Sequence, residues 1–155
     1  MDFGFTAPST LIKTAVNEYD MFIDEIFYRS GMTDVDFEQA LKTFDKRDRI
    51  NADSEDQRMI NYLKNTLHYN IFAAKKPAGS VEFGISYLQA RTINITKRSL
   101  KTIYEFRNLM HATDSDGKTI RGKYVGDDHA IDAVRYSLEE IMKPKSSFGG
   151  AIAIT

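Results

Sequence analysis

Two consecutive runs near the start of the chain, TLIKTAVNE (10–18) and YDMFIDEIFYRS (19–30), are dense in β-branched and aromatic residues and meet at Asn17 and Glu18, a turn-forming pair. MDFGF (1–5), closed by the Pro-containing TAPS, reads as a short strand before them. Together they predict an antiparallel meander of three strands. The rest of the chain alternates between helical and strand patterns. TDVDFEQALKTFD (33–45) places Val35, Phe37, Leu41 and Phe44 at helical spacing behind a Thr or Asp cap, and RINAD (49–53) is a brief apolar strand ending in an acid. SEDQRMINYLKNTLHY (54–69) predicts a helix, NIFAAKK (70–76) a strand and residues 80–92 a helix. INIT (93–96) predicts a strand, and KRSLKTIYEFRNLM (97–110) an amphipathic helix. ATDSDGKTIRGKYV (112–125) carries an Asp-Gly turn between β-prone arms, a hairpin, and a last helix runs to about Met142. Strands alternating with helices after an opening meander predict an α/β fold: a mixed sheet, three antiparallel strands and then parallel additions, flanked by helices, with a β-hairpin before the last helix.

A chain of 155 residues, 42% hydrophobic, is long enough for one domain with a real core. Residues 1–142 read as that domain and KPKSSFGGAIAIT (143–155) as a flexible tail. Cysteine is absent, which excludes disulfides, thiolate metal sites and cysteine nucleophiles, so any metal must be held by oxygen or imidazole. No stretch approaches the roughly 20 apolar residues of a membrane span and no signal-peptide pattern opens the chain, so a soluble, intracellular protein is expected. The net charge of -1 supplies no global attraction to a polyanion, which must be met by local basic patches or bound cations.

The acids carry the chemistry. GDDHAIDAVRY (126–136) crowds three aspartates and a histidine into the start of the last helix. Asp127 or Asp128 can serve as an N-cap, but Asp132 sits a turn inside, on the face of His129. Asp2 lies in the first strand and Asp53 closes a later one; strand ends and a helix face can converge on one point in an open α/β sheet. Three carboxylates from three elements are a costly cluster of like charge unless a cation binds them, and oxygen ligation with open positions suits Mg2+ or Mn2+. Bland readings stand beside this one. Asp2 can be a solvated terminal residue, and His129 and Asp132 a surface set with Arg135. Asp53, followed by Ser54 and Glu55, reads better as a helix cap on spacing alone.

Three stretches, MDFGFTAPSTLIK, INADSEDQRMINYLK and GDDHAIDAVRYSLE, in this order and with the intervening SDGK hairpin, resemble the C-terminal nuclease domain of the large terminase subunit of tailed phages. The resemblance spans residues 1–142, and its last motif, an acidic pair followed by HAIDAxRY, is the specific one. It implies an RNase H-like fold and a metal-dependent endonuclease that hydrolyses phosphodiester bonds of concatemeric double-stranded DNA with little sequence specificity. It implies further that Asp2, Asp53 and Asp132 hold two Mg2+ or Mn2+ ions. His129 falls at the position of an accessory ligand, and Asp128 either joins the site or caps the helix, the cap being favoured. Large terminases also carry a packaging ATPase, and no GxxxxGK[ST] phosphate loop is present here, so the sequence reads as an excised domain or gene fragment. In its full context it is expected to meet that ATPase domain, a portal and a small terminase subunit in the cytoplasm of the bacterial host. In isolation a monomer is expected.

DNA contact is expected from Arg121 and Lys123 on the hairpin arm, Lys75 and Lys76, and Lys97 and Arg98, although for any one cluster a solvated face is the simpler reading. Two other functions fit the same acids: a junction resolvase of RNase H-like fold, and a non-catalytic docking module of the packaging motor.

Overall fold

The computed structural model describes residues 1–139, the side chain of Arg121 excepted. The expected tail 143–155 and the domain boundary at 142 lie outside the described residues. The opening pair is β1 (Ser9–Val16) and β2 (Asp20–Arg29), antiparallel with Thr10 opposite Tyr28 and Val16 opposite Met21. Asn17 makes their turn: its Oδ1 accepts from the backbone N–H of Tyr19 at 3.0 Å and of Asp20 at 2.6 Å, the local bonding that places Asn in turns.

The expected third antiparallel strand over 1–5 does not form. Only Asp2 pairs, in an isolated bridge to Thr10, because the chain turns sharply after it. Ser9 Oγ both accepts from Gly4 N–H and donates to Gly4 O, and a Cβ at Gly4 would stand 2.5 Å from the Ala7 carbonyl oxygen. A residue with a side chain cannot make this turn. The third strand of the sheet is instead parallel to β2: β5 (Thr92–Ile95), with Met21 opposite Ile93.

Helix α1 (Asp34–Leu41) starts at Thr33 with a capping box, Thr33 Oγ1 accepting from Asp36 N–H and Asp36 accepting from Thr33 N–H. It buries Phe37 and Leu41 and leaves Val35 exposed. β3 (Ile50–Ala52) and β4 (Ile71–Ala73) form a separate parallel pair. The single helix predicted between them is two pieces, α2 (Gln57–Asn61), capped by Asp56, and a π-helical turn over 62–66, where Leu67 N–H reaches back to Tyr62 O. Then come α3 (Ser80–Gln89), α4 (Leu100–Asn108) and the hairpin β6 (Met110–Thr113) and β7 (Thr119–Val125), followed by α5 (His129–Ser137).

Alternation along β1 divides the core. Leu11 joins Phe27, Phe37, Leu41, Met59 and Leu63 under α1 and α2, while Ile12 joins Met21, Ile23, Ile85, Ile131 and Val134 under α3 and α5. Helices therefore cover both faces. Each such large apolar side chain contributes about 1.5–3 kcal/mol when fully buried. Among the described residues no helix is long and apolar enough to cross a membrane.

Candidate active site

Residues 1 and 2 stitch the two strand groups together. Asp2 N–H donates to Thr10 O and Thr10 N–H to Asp2 O, both at 2.8 Å, while on the other side Asp53 N–H donates to Met1 O at 3.0 Å. The Met1 ammonium donates to Asn51 O at 2.7 Å; burial pushes its pKa down to about 5, against the raising effect of Asp2 and Asp53. Backbone pairing thus holds Asp2 next to the end of β3, where Asp53 begins. Asp53 is not the cap of the following helix. Its Oδ1 accepts from Glu55 N–H at 2.9 Å, and capping falls to Asp56, which accepts from Met59 N–H at 2.8 Å.

Helix α5 lies across this end and lowers His129, Asp132 and Tyr136 onto it. The three fall at i, i+3 and i+7, on one face. His129 Nδ1 stands 3.1 Å from Asp2 Oδ2, and the Tyr136 hydroxyl lies 3.2 Å from Asp53 Oδ2 and 3.3 Å from Asp132 Oδ2, donating between them. Asn51 Nδ2 donates to Tyr136 O at 2.9 Å and fixes the far end of the helix. Asp2, Asp53, Asp132 and His129 are therefore brought to one end of the sheet.

Burial, with like charge added to it, shifts the ionisation of these groups. Burial and the charges of Asp132 and Asp53 push the Asp2 carboxyl up to about 7, against the lowering pull of His129. For Asp53, burial acts upward, but Lys76, Glu55 N–H and Tyr136 together outweigh it and hold the carboxyl below its ordinary value. Burial, and then the three carboxylates, raise the Tyr136 hydroxyl well above the usual phenol range, so it remains a donor. Cations sit among the acids: Lys76 Nζ is 2.7 Å from Asp53 Oδ1, and Arg135 pairs with Asp132 one turn along α5. With these groups interleaved, no three His, Asp or Glu side chains among the described residues close on one point that could hold a metal ion as they stand.

Three comparisons with known proteins bear on this end of the sheet. A family model for the terminase RNase H-like domain matches residues 2–140, which takes in every residue of the acidic cluster. The chain belongs to the terminase RNase H-like family. It is 26% identical to the PBSX phage terminase large subunit of Bacillus subtilis (strain 168) over 144 residues, 90% of this chain and 33% of that one. It is 38% identical to the terminase large subunit of Bacillus phage SPP1 over 105 residues, 61% of this chain and 23% of that one. The chain thus spans a third or less of the length of these curated relatives. Its fold, five α-helices around small sheets among the described residues, matches the nuclease domain of the SPP1 large terminase, solved with bound Mn. The TM-score is 0.78, at 29% identity over 91% of this chain and 84% of that one. The large terminase of a thermophilic bacteriophage, at 18% identity, shares the fold with a TM-score of 0.68 over 90% of this chain and 38% of that one.

The structure corrects one reading of the polar crowd that opens α5. Asp128 occupies the N-cap position, yet its side chain makes no capping bond. The cap comes from α4: Glu105 Oε2 accepts from Ala130 N–H at 2.7 Å and Ile131 N–H at 3.1 Å, and Glu105 Oε1 accepts from Tyr28 OH at 2.8 Å. A carboxylate there satisfies two orphan donors and complements the helix dipole. Glu105 is 1% exposed, and its burial raises its pKa despite these bonds. Sequence reasoning missed it. The available signal was an acid three residues after Thr102, on the buried face of an amphipathic helix.

Arg135 was visible only as a surface partner of Asp132, but it is 6% exposed and packs on α3. A Cβ at Gly84 would meet its side chain at 2.9 Å, so the absence of a side chain there is what admits the guanidinium. The expected DNA contacts divide. Lys97 and Lys123 are exposed, whereas Arg98 is paired with Asp24 and Lys76 with Asp53 and Glu55. Lys75 donates its backbone N–H to Glu139. The Arg121 side chain lies outside the described residues.

Proposed function

We propose that this domain is the metal-dependent endonuclease of a phage DNA-packaging terminase, hydrolysing phosphodiester bonds of double-stranded concatemeric DNA with little sequence specificity. The observation that carries the reading is the meeting of Asp2, Asp53, Asp132 and His129 at one end of the sheet, on three separate elements locked by backbone pairing and a buried cap. The Mn in the SPP1 nuclease domain supports a divalent ion as the partner of such a cluster.

The donor set fits that chemistry. Three carboxylates and an imidazole are hard, oxygen-rich ligation, and Asp2, whose carboxyl is raised by burial and then by the charges of Asp132 and Asp53, would gain from a cation beside it. Asp2, Asp53 and Asp132 would hold two Mg2+ or Mn2+ ions, with His129 and Asp128 beside them. When bound, such ions stabilise charge on the scissile phosphate and lower the pKa of an attacking water.

The chain's own residues prepare that step. Glu105 fixes the first turn of α5, and with it the aim of His129 and Asp132. The Tyr136 hydroxyl holds one oxygen each of Asp53 and Asp132, and Arg135 holds the second oxygen of Asp132. Asp2 orients His129 through Nδ1, which leaves Nε2 for a water or a ligand. Exposed Lys97 and Lys123, with Arg121, supply local positive charge for the DNA backbone. The nuclease unit spans residues 1–142 and acts beside an ATPase domain, a portal and a small terminase subunit in the bacterial cytoplasm; alone it is a monomer.

Supercoiled-plasmid cleavage tests this reading. Nicking or linearisation is expected with Mg2+ or Mn2+, with none in EDTA and none for Asp132→Ala. Metal-independent cleavage, or full activity in that variant, would overturn it.

A further inference from the structure

Both oxygens of Asp53 are already engaged. Oδ2 faces the Tyr136 hydroxyl at 3.2 Å, and Oδ1 accepts both from Glu55 N–H at 2.9 Å and from the Lys76 ammonium at 2.7 Å. A divalent ion binding through Oδ1 must displace a donor, since that oxygen already accepts two, and one binding through the remaining lone pair of Oδ2 sets a double positive charge beside all three donors. The first belongs to a ring that is 4% exposed and held at its backbone by Asn51, and the second is backbone. Lys76 is different. Its side chain is 35% exposed, and its Nζ already lies 3.1 Å from Glu55 Oε1, on a carboxylate that is 84% exposed. Its stem runs along Tyr136, with Nζ 5.6 Å from the ring centroid, so a small swing moves the charge from one carboxylate to the other without unpacking the chain. A divalent cation approaches carboxylate oxygen to about 2.1 Å, too near for an ammonium to remain on the same oxygen against like-charge repulsion.

We propose that Lys76 is an internal counter-ion that occupies Asp53 in the metal-free protein and is displaced onto Glu55 by the incoming divalent cation. The inference rests on the metal-binding reading of the acidic cluster and deepens it. Lys76 then acts through Asp53, setting how much metal the site requires, and it becomes a switchable positive charge at the site rather than a fixed DNA contact. Glu55, fully outside the acidic cluster, acquires a role as the acceptor of the displaced ammonium.

The test is Mn2+ binding by calorimetry and by loss of the free-Mn2+ electron paramagnetic resonance signal, on wild type, Lys76→Met, Glu55→Gln and Asp53→Asn. Circular dichroism serves as the check on folding. Methionine keeps the apolar stem over Tyr136 and removes the charge. Lys76→Met is expected to bind Mn2+ about tenfold more tightly than wild type, the scale of neighbouring-group effects on metal affinity. Glu55→Gln, which removes the resting place, is expected to bind more weakly, and Asp53→Asn to lose a site. A variant that merely damages the site cannot gain affinity, so the rise marks the Lys76 charge as opposing the metal, and its displacement is read from the Lys76 position in crystals grown with Mn2+. Glu55→Gln gives an independent reading should Lys76→Met fail to fold. Wild type binding Mn2+ with Lys76→Met equal or weaker, or Glu55→Gln unchanged, would overturn the counter-ion role and leave the metal site standing. No Mn2+ binding by wild type or Lys76→Met would overturn the metal site and this inference with it. Binding by Lys76→Met alone would support both.

Discussion

The two halves of the acidic cluster are solved differently. At one side Asp53 and Asp132 are each paired with a cation, Lys76 and Arg135, and share the Tyr136 hydroxyl. At the other, Asp2 is buried with His129 as its neighbour, and its carboxyl rises to about 7. Asp53, with neighbours of opposite charge, is held low. Burial is the largest influence on both carboxyls; at Asp53 the Lys76 ammonium, Glu55 N–H and the Tyr136 hydroxyl together outweigh it, and at Asp2 His129 does not. The contrast also separates what each half waits for. On the proposed metal-binding reading, the compensated half would exchange a protein cation for a metal, and the other half would gain a counter-charge.

Removing the acids of the compensated half should have the largest effect. Asp53→Ala and Asp132→Ala are each expected to lower plasmid cleavage on the order of 1,000-fold, as loss of a charge-positioning group does. Retention of near wild-type rates in either variant would place the chemistry elsewhere.

Next comes the cap that aims both halves. Glu105→Ala strands two backbone N–H groups and Tyr28 OH in the interior, and is expected to cost about 3 kcal/mol in urea unfolding, with cleavage falling alongside. Glu105→Gln keeps an acceptor for the helix and should recover most of that loss. Equal damage from both variants would mean that the charge, not the acceptor, matters.

Tyr136→Phe sharpens the comparison more finely, since it removes only the hydroxyl between Asp53 and Asp132. Cleavage should drop roughly 10- to 100-fold at saturating DNA with a small change in Tm, because a shared orienting donor is lost from the two acids. An unchanged rate would make Tyr136 a packing residue.

The smallest effect concerns the uncompensated half. With its pKa raised in the folded state, the metal-free Asp2 carboxyl is tolerated while protonated and costs stability as it ionises. Its contribution therefore declines as pH rises from about 4 to about 7. Asp2→Asn should gain on wild type progressively across that interval, by urea unfolding in EDTA. A difference that stays constant with pH would refute the assignment.

The sequence made the acids of the helical half legible and hid the rest. His129 and Asp132 share a face by the helix repeat alone, whereas Tyr136, a turn further on, was not read as part of the site; β1, β2 and α1 arise from β-branched runs, Asn17 and the Thr33 box. The meeting of Asp2 and Asp53 with that face depends on backbone pairing across Met1, a contact between residues some fifty positions apart that no local pattern encodes; the resemblance to terminase nucleases supplied it. Local propensity also misled. MDFGF has strand composition but cannot extend past Gly4, and SEDQRMINYLKNTLHY has helical periodicity but shifts to a π turn at Tyr62. Glu105 was unreadable because its partners, Ala130 and Ile131, lie on another helix.

The most direct measurement is a crystal structure of the domain grown with Mn2+, phased or checked by the anomalous signal of the metal. Anomalous peaks are predicted among Asp2, Asp53 and Asp132, with the Lys76 ammonium moved from Asp53 to Glu55 and Tyr136 still between its two acids. Peaks elsewhere, or Mn2+-saturated crystals with Lys76 on Asp53 and nothing among the acids, would contradict the account.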